Sequence, residues 1–278
     1  MKRIILSRKG FDSSAGEKAS PIFSNGNICS IPIPDKVGPF SHRYRDLKYD
    51  HLKIEDVFEE VDAVKPKLNL DDYCHFDPQL NQSIGLFGQL GFSQKELDNQ
   101  GVGAGDIFLF FGWFRNYSIK KRDLHHLFGW LQIDRVLKDP YEIKDFLNQK
   151  NINHPHGATE LYEKKKVKNN TLYVSKEFIE INNKKTLLKG FGLFKKTHHD
   201  LILTDPDPLK TRTKWKMPEK YFSNTKHLFM SKRLNWIDEK NCLIDSNTGP
   251  GQELILNSEL NPKLIDWVMD LIEKHGDN

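Results

Sequence analysis

Ile107-Phe108-Leu109-Phe110-Phe111-Gly112-Trp113-Phe114 and the run His126–Val136 are the two stretches on which the fold turns. Both are rich in aromatic and β-branched residues, the composition of a buried strand. They are joined by a polar, basic connection, Arg115 to Asp123. A link of about nine residues without helical periodicity suits an antiparallel pair, because a parallel crossover needs about a dozen or more. Working outward, Arg3–Ser7 reads as a short first strand, and further strands are expected at Leu172–Val174, Leu201–Leu203, Cys242–Ile244 and Glu253–Ile255. Helical spacing appears over residues 52–60. Ser93-Gln-Lys-Glu96 has the form of a capping box opening a short helix that ends near Gly101. Asp139-Pro140, followed by Tyr141, Ile143 and Phe146, supplies an N-cap, a first-turn proline and an apolar stripe. The last helix opens at Pro262, carries Leu264, Ile265, Val268, Leu271 and Ile272 on one face, and stops at Gly276. Four prolines (Pro21, Pro32, Pro34, Pro39) keep residues 21–40 extended. Strands outnumber helices and do not alternate with them, so the expected class is α+β. A single domain over residues 1–278 is built around a mixed, largely antiparallel sheet with a C-terminal helix.

Composition narrows the classes of function. The 278 residues are 37% hydrophobic and 29% charged, enough apolar content for a sizeable core. No apolar run approaches the ~18 residues of a membrane helix. The opening Met1-Lys2-Arg3-Ile4-Ile5-Leu6-Ser7 is too short in apolar residues for a secretory leader, so a cytoplasmic protein is expected. Three widely spaced cysteines (Cys29, Cys74, Cys242) form neither a disulfide framework nor a thiolate zinc knuckle. The net charge of +4 permits a nucleotide or nucleic-acid partner, yet it offers too small a Lys/Arg excess for long, sequence-independent DNA binding.

Five places carry residues suited to chemistry. The loop Ser7–Gly16 offers Arg8, Lys9 and Ser13 to a phosphate and Asp12 as a carboxylate; the alternative is a polar turn capped by Asp12 and Ser13. It matches neither a Walker A loop nor a dinucleotide glycine motif. His75-Phe76-Asp77-Pro78 places an imidazole and a carboxylate two residues apart, on one side of an extended segment, where they can share a metal ion or a proton. His154-Pro155-His156-Gly157 does the same with two imidazoles. Together His75, Asp77, His154 and His156 make four potential ligands for a divalent metal ion, with zinc and manganese both suited; the histidines can equally hold a phosphate or act as acid and base. Gly103-Ala104-Gly105-Asp106 is either a turn or the source of a strand-edge carboxylate. Arg212 and Trp215 can neutralise and stack a nucleotide, and Gln252 can offer it an amide; otherwise Trp215 packs on the sheet and Gln252 closes a turn. The adjacent pairs His125-His126 and His198-His199 point opposite ways if extended. The lysine run Lys164-Lys165-Lys166 with Lys168 reads as a solvated loop.

Several of these landmarks coincide with one family pattern. Ile4-x-Leu6-Ser7-Arg8-Lys9-Gly10-Phe11-Asp12-Ser13, Gly16, Ser20-Pro21-Ile22 and Ile31-Pro32-Ile33-Pro34 are followed by His75-x-Asp77-Pro78 and Gly105-Asp106-x-Phe108-Leu109-Phe110-Phe111-Gly112. His154-Pro155-His156, Trp215-x-Met217-Pro218 and Gly251-Gln252-Glu253 complete the set. The chain resembles the third family of nucleotide modification associated domains, over nearly its whole length. The resemblance implies a link to phage and bacterial systems that modify DNA bases or act on nucleotides, and it implies no particular reaction. The expectation is an enzyme acting on a nucleotide or nucleic-acid base. The alternatives are a metal-dependent nuclease or phosphodiesterase and a non-catalytic nucleotide sensor.

Overall fold

The computed structural model describes residues 1–35, 42–62, 68–119, 122–158, 168–223, 235–246 and 253–277. In chain order the strands are β1 (Arg3–Arg8), β2 (Ser20–Pro21), β3 (His42–Arg43), β4 (Tyr73–Cys74), β5 (Leu86–Gln89), β6 (Ile107–Arg115), β7 (Asp123–Leu137) and β8 (Thr171–Ser175). They continue with β9 (Phe178–Ile181), β10 (Lys184–Lys189), β11 (Phe191–Leu193), β12 (Lys214–Lys216), β13 (Asn235–Asp238), β14 (Leu243–Asp245) and β15 (Glu253–Asn257). The α-helices are α1 (Ile54–Asp62), α2 (Gly91–Asn99), α3 (Pro140–Lys150), α4 (Glu219–Phe222) and α5 (Lys263–His275).

The protein is α+β. Its main sheet runs β15-β1-β6-β7-β8-β5, with β2 added to β6 and β11 added to β7. Among the described strands of this sheet, only the β1–β6 and β2–β6 pairs are parallel. β6 and β7 are antiparallel from Ile107↔Gln132 to Arg115↔Asp123, with a bulge at Phe110/Phe111. Side chains of β6 alternate between two cores, which is why the strand reads as a continuous apolar run rather than an alternating one. Ile107, Leu109 and Phe111 join the layer capped by α5, whose Leu264, Trp267, Val268, Leu271 and Ile272 are buried there. Phe108, Phe110 and Phe114 join the other face, with Ile5, Phe87, Phe128 and Tyr173. The sheet curls: Phe87 of β5, the last strand on the path, meets the rings of Phe108 and Phe110 at 4.8 and 5.1 Å. Lys9, just beyond β1, lies over the same Phe87 ring at 4.7 Å.

Asp139 caps α3 by accepting from Tyr141 N and Glu142 N, and Gly276 follows α5 as expected. Three expectations shift. Helix α2 begins at Gly91 behind Leu90, directly after β5, so Ser93 lies inside the first turn rather than at the N-cap. Residues 201–203 are not a strand. His198 Nδ1 accepts from Asp200 N and winds His199–Leu201 into a 3-10 turn, leaving one bridge from Ile202 to His126. Cys242 takes a positive φ of 52° in the turn, so its strand starts one residue later. The lysines at 164–166 and Pro39 lie outside the described residues. Among the described residues, no helix is long and apolar enough to cross a membrane.

Adjacent His125 and His126 do point to opposite faces of β7, and both are fully buried. Burial pushes the His126 pKa down to about 4, with the Leu127 carbonyl working against it. The unfolded chain takes up this proton near pH 6.5, whereas the folded protein refuses it. Stability should therefore be complete above about pH 6.5 and decline towards pH 4, by at most about 1.4 kcal/mol per pH unit for this group. Urea-unfolding midpoints across that range should show the decline, with a shallower slope in His126→Phe. Equal slopes for the two proteins would place the acid sensitivity elsewhere.

Candidate functional site

One buried carboxylate gathers three imidazoles. His75 follows β4 in extended backbone held by His75 N donating to Ile33 O at 2.9 Å, which brings Asp77 beneath β5. Gly88 N of β5 donates to Asp77 Oδ1 at 2.9 Å. His154 and His156 arrive from the other side, after α3. Their chain is not extended, as the sequence had implied, but wound into a short 3-10 turn over Pro155–Gly157 with His154 as its cap. His154 Nε2 lies 3.3 Å from Asp77 Oδ1, and His156 Nε2 lies 3.6 Å from Asp77 Oδ2. His75 Nε2 lies 3.7 Å from that same Oδ2. The His156 ring rests flat on strand β5, where a Cβ on Gly88 would sit 2.1 Å from the imidazole.

Hydrogen-bond partners assign the tautomers. Asn170 Nδ2 donates to His156 O at 2.9 Å, which turns Asn170 Oδ1 towards His156 Nδ1 at 2.6 Å. His156 Nδ1 is therefore the donor and Nε2 presents a lone pair to Asp77. His154 Nδ1 accepts from His156 N at 3.2 Å, so in the neutral ring the proton sits on Nε2, which makes no hydrogen bond among the described residues. His75 Nδ1 lies 3.6 Å from Asp35 Oδ2. Burial by itself would raise the Asp77 pKa, but His154 and His75 outweigh it and hold the group well below the usual carboxylate range. Burial pulls His75 down, and Asp35 and Asp77 more than reverse this, to about 9. Burial pushes His156 down to about 3. His156 Nε2 thus lies 3.6 Å from the anionic Asp77 carboxylate.

That confrontation fits a cation. The ligand atoms of His75, Asp77 and His156 all lie within 4.8 Å of one another. Donors about 2.0–2.2 Å from a tetrahedral ion stand roughly 3.3–3.6 Å apart, so separations of 3.6 and 3.7 Å need close only slightly. Asp35 behind His75 and Asn170 behind His156 stand where outer partners orient the imidazoles of metal sites. Three protein ligands on one ion would leave positions for water and substrate. A narrow cleft lined by Gly10, Ser30, Phe76, Asp77 and Pro78 reaches the carboxylate.

The remaining sequence candidates fall elsewhere. Asp12 Oδ1 accepts from Ser14 N, Ser14 Oγ and Ala15 N at 2.7, 2.7 and 2.8 Å, forming a turn within the loop. Ser13 is exposed. Lys9 Nζ, Ser7 Oγ and Gln89 Nε2 all donate to Glu253 Oε1, at 3.2, 3.0 and 2.6 Å. Asp106 accepts from Lys2 N, Arg3 N and Gly103 N as a turn carboxylate. Arg8, Arg212 and Trp215 converge on His125, away from Asp77. Trp215 itself is only 1% exposed and donates its Nε1–H to His125 Nδ1 at 3.0 Å, so it has no face open for stacking. Gln252 lies outside the described residues. Asp35, Gly88, Asn170 and His125 were missed as site residues. The first three carry no local signal, because only the tertiary fold brings them to the histidines.

Comparison with known proteins adds a family. The family model for nucleotide modification associated domain 3 matches residues 3–257, nearly the whole chain. The chain belongs to that family. No curated protein and no solved structure matches it.

Gly88→Ala isolates the geometry. The added methyl must displace the His156 ring while leaving every proposed ligand in the chain. Divalent-metal affinity, measured by titration against a chromogenic chelator, should fall about 10- to 100-fold, the range for disturbed outer-sphere support. Wild-type affinity in this variant would remove His156 from the ligand set.

Proposed function

We propose that this member of the nucleotide modification associated domain 3 family is a metal-dependent enzyme acting on a nucleotide or on a base in nucleic acid. Its centre is His75, Asp77 and His156 around one divalent cation. The observation that carries the reading is geometric: ligand atoms of His75, Asp77 and His156 lie within 4.8 Å of one another inside the protein, with His156 Nε2 3.6 Å from Asp77 Oδ2. A divalent cation held there would activate a water molecule and polarise a substrate oxygen. His154, whose Nε2 lies 3.3 Å from Asp77 Oδ1, is placed to move a proton at the edge of the centre. Asp35 and Asn170 fix the two ligating rings. The family supports the substrate class, and the donor set of two imidazoles and one carboxylate supports zinc or manganese. Hydrolysis of a phosphate ester or of a base substituent is the reaction class that this set serves best.

Elemental analysis of the purified protein should find about one equivalent of a divalent metal. Asp77→Asn and His156→Gln should each weaken metal binding at least 100-fold. Conversion of nucleotides or DNA, followed by mass spectrometry of the products, should stop with EDTA and return on adding metal. A protein that takes up no divalent metal, or that acts undiminished in EDTA, would refute the reading.

A further inference from the structure

A second cluster stands on the α5 side of the sheet, built around a histidine the metal centre does not use. Arg8 of β1 pairs in register with Phe111 of β6, and Trp113 of β6 pairs with His125 of β7. His125 packs against Phe111 at 5.3 Å, and Trp215 closes over both. Because the Trp215 indole can only donate, its 3.0 Å bond to His125 Nδ1 makes that nitrogen the acceptor. Deprotonation at Nδ1 leaves the proton of the neutral ring on Nε2. That Nε2–H is fully buried and has no hydrogen-bond partner among the described residues, and the same holds for Trp113 Nε1–H. A buried donor left unmade costs about 1–3 kcal/mol, so two side by side call for an acceptor.

The surrounding charge has the matching sign. Arg212 stacks on Trp113 at 4.4 Å, with Arg115 over the same ring at 5.8 Å. Asp123 is shared, its Oδ1 accepting from Arg115 Nε at 2.7 Å and its Oδ2 lying 3.5 Å from Arg212. Asp12, the carboxylate acting on Arg8, already serves three donors in its own turn. Among the described residues, Arg115 and Arg212 thus share the one carboxylate of Asp123. Burial, and then the charges of Arg8 and Arg212, hold the His125 pKa well below its ordinary value, so the ring stays a neutral donor.

We propose that Arg8, Arg212, His125 Nε2–H and Trp113 Nε1–H form a binding pocket for a phosphate monoester, presented either by a free nucleotide or by the end of a strand. Guanidiniums recognise phosphate by paired hydrogen bonds, and the two neutral N–H donors add direction without further charge. An anion here also offsets the mutual repulsion of Arg8 and Arg212. The pocket is separate from the metal centre, and the claim stands whether or not a metal binds. One loop connects the two regions: Arg8 belongs to this cluster, and Gly10 lines the cleft that reaches Asp77.

Calorimetric titration of the full chain with inorganic phosphate, in EDTA, tests the pocket. Saturable binding should weaken at least ten-fold in Arg212→Gln, whose half-buried side chain can change without opening the core. His125→Phe should weaken it similarly, while Asp77→Asn should bind phosphate as the wild type does. Displacement of phosphate by a nucleoside 5′-monophosphate identifies a free nucleotide as the source, and displacement by a 5′-phosphorylated oligonucleotide alone identifies a strand end. Absence of saturable phosphate binding overturns the proposal. So does wild-type affinity in Arg212→Gln, or failure of both nucleotides to displace phosphate. Loss of metal binding with phosphate binding intact would refute the proposed enzyme centre alone.

Discussion

Pairing of β6 with β7 is the constraint on which everything else rests. Eight of the nine residues of β6 are buried, and their side chains alternate between two hydrophobic layers. With both faces covered, the strand has one register with β7, because a slip by one residue would exchange the layers. The same ladder fixes where β1 ends, since Lys9 N donates to Phe111 O at 2.8 Å just past the last β1 residue. The loop that follows leaves at a point chosen by the central pair. β7 then runs on past its pairing with β6 to hold β8 and, through it, β5. The cluster of Asp77 and its histidines depends on that last strand for Gly88.

The central pair, the first strand, the capped helix α3 and the final helix were legible because each announces itself locally. Apolar runs, an Asp-Pro cap and a helical stripe need only neighbours in sequence. The hairpin of β9 and β10 was legible too and went unread: Asn182-Asn183, both with positive φ, is a turn pair of the kind that favours tight hairpins. Strand β5, only four residues long with a glycine inside, has no such signal. Its identity comes from β8 and from the aromatic layer that it completes.

The site shows the same division. Residue type and spacing singled out His75, Asp77, His154 and His156, and the fold gathers all four, although the two histidine motifs are separated by three strands. Spacing did not reveal how they are held. The second pair sits in a 3-10 turn, so the feature that brings the two imidazoles together is backbone capping by His154 rather than strand alternation. Asp12 and Trp215 show the opposite outcome. Their chemistry was suggestive, yet local satisfaction of Asp12 and burial of Trp215 give them structural work. Trp215 instead sets the tautomer of neutral His125 by donating to its Nδ1.

Strand β5 presents opposite faces to two buried polar systems. Phe87 and Gln89 look inward, where Gln89 reaches Glu253, and Gly88 between them lies against His156. Were the strand to pair one residue out of step, a phenylalanine or glutamine side chain would be driven into the imidazole. The close packing of His156 on β5 and a misregistered sheet are therefore mutually exclusive: the imidazole fits only where the strand presents its glycine.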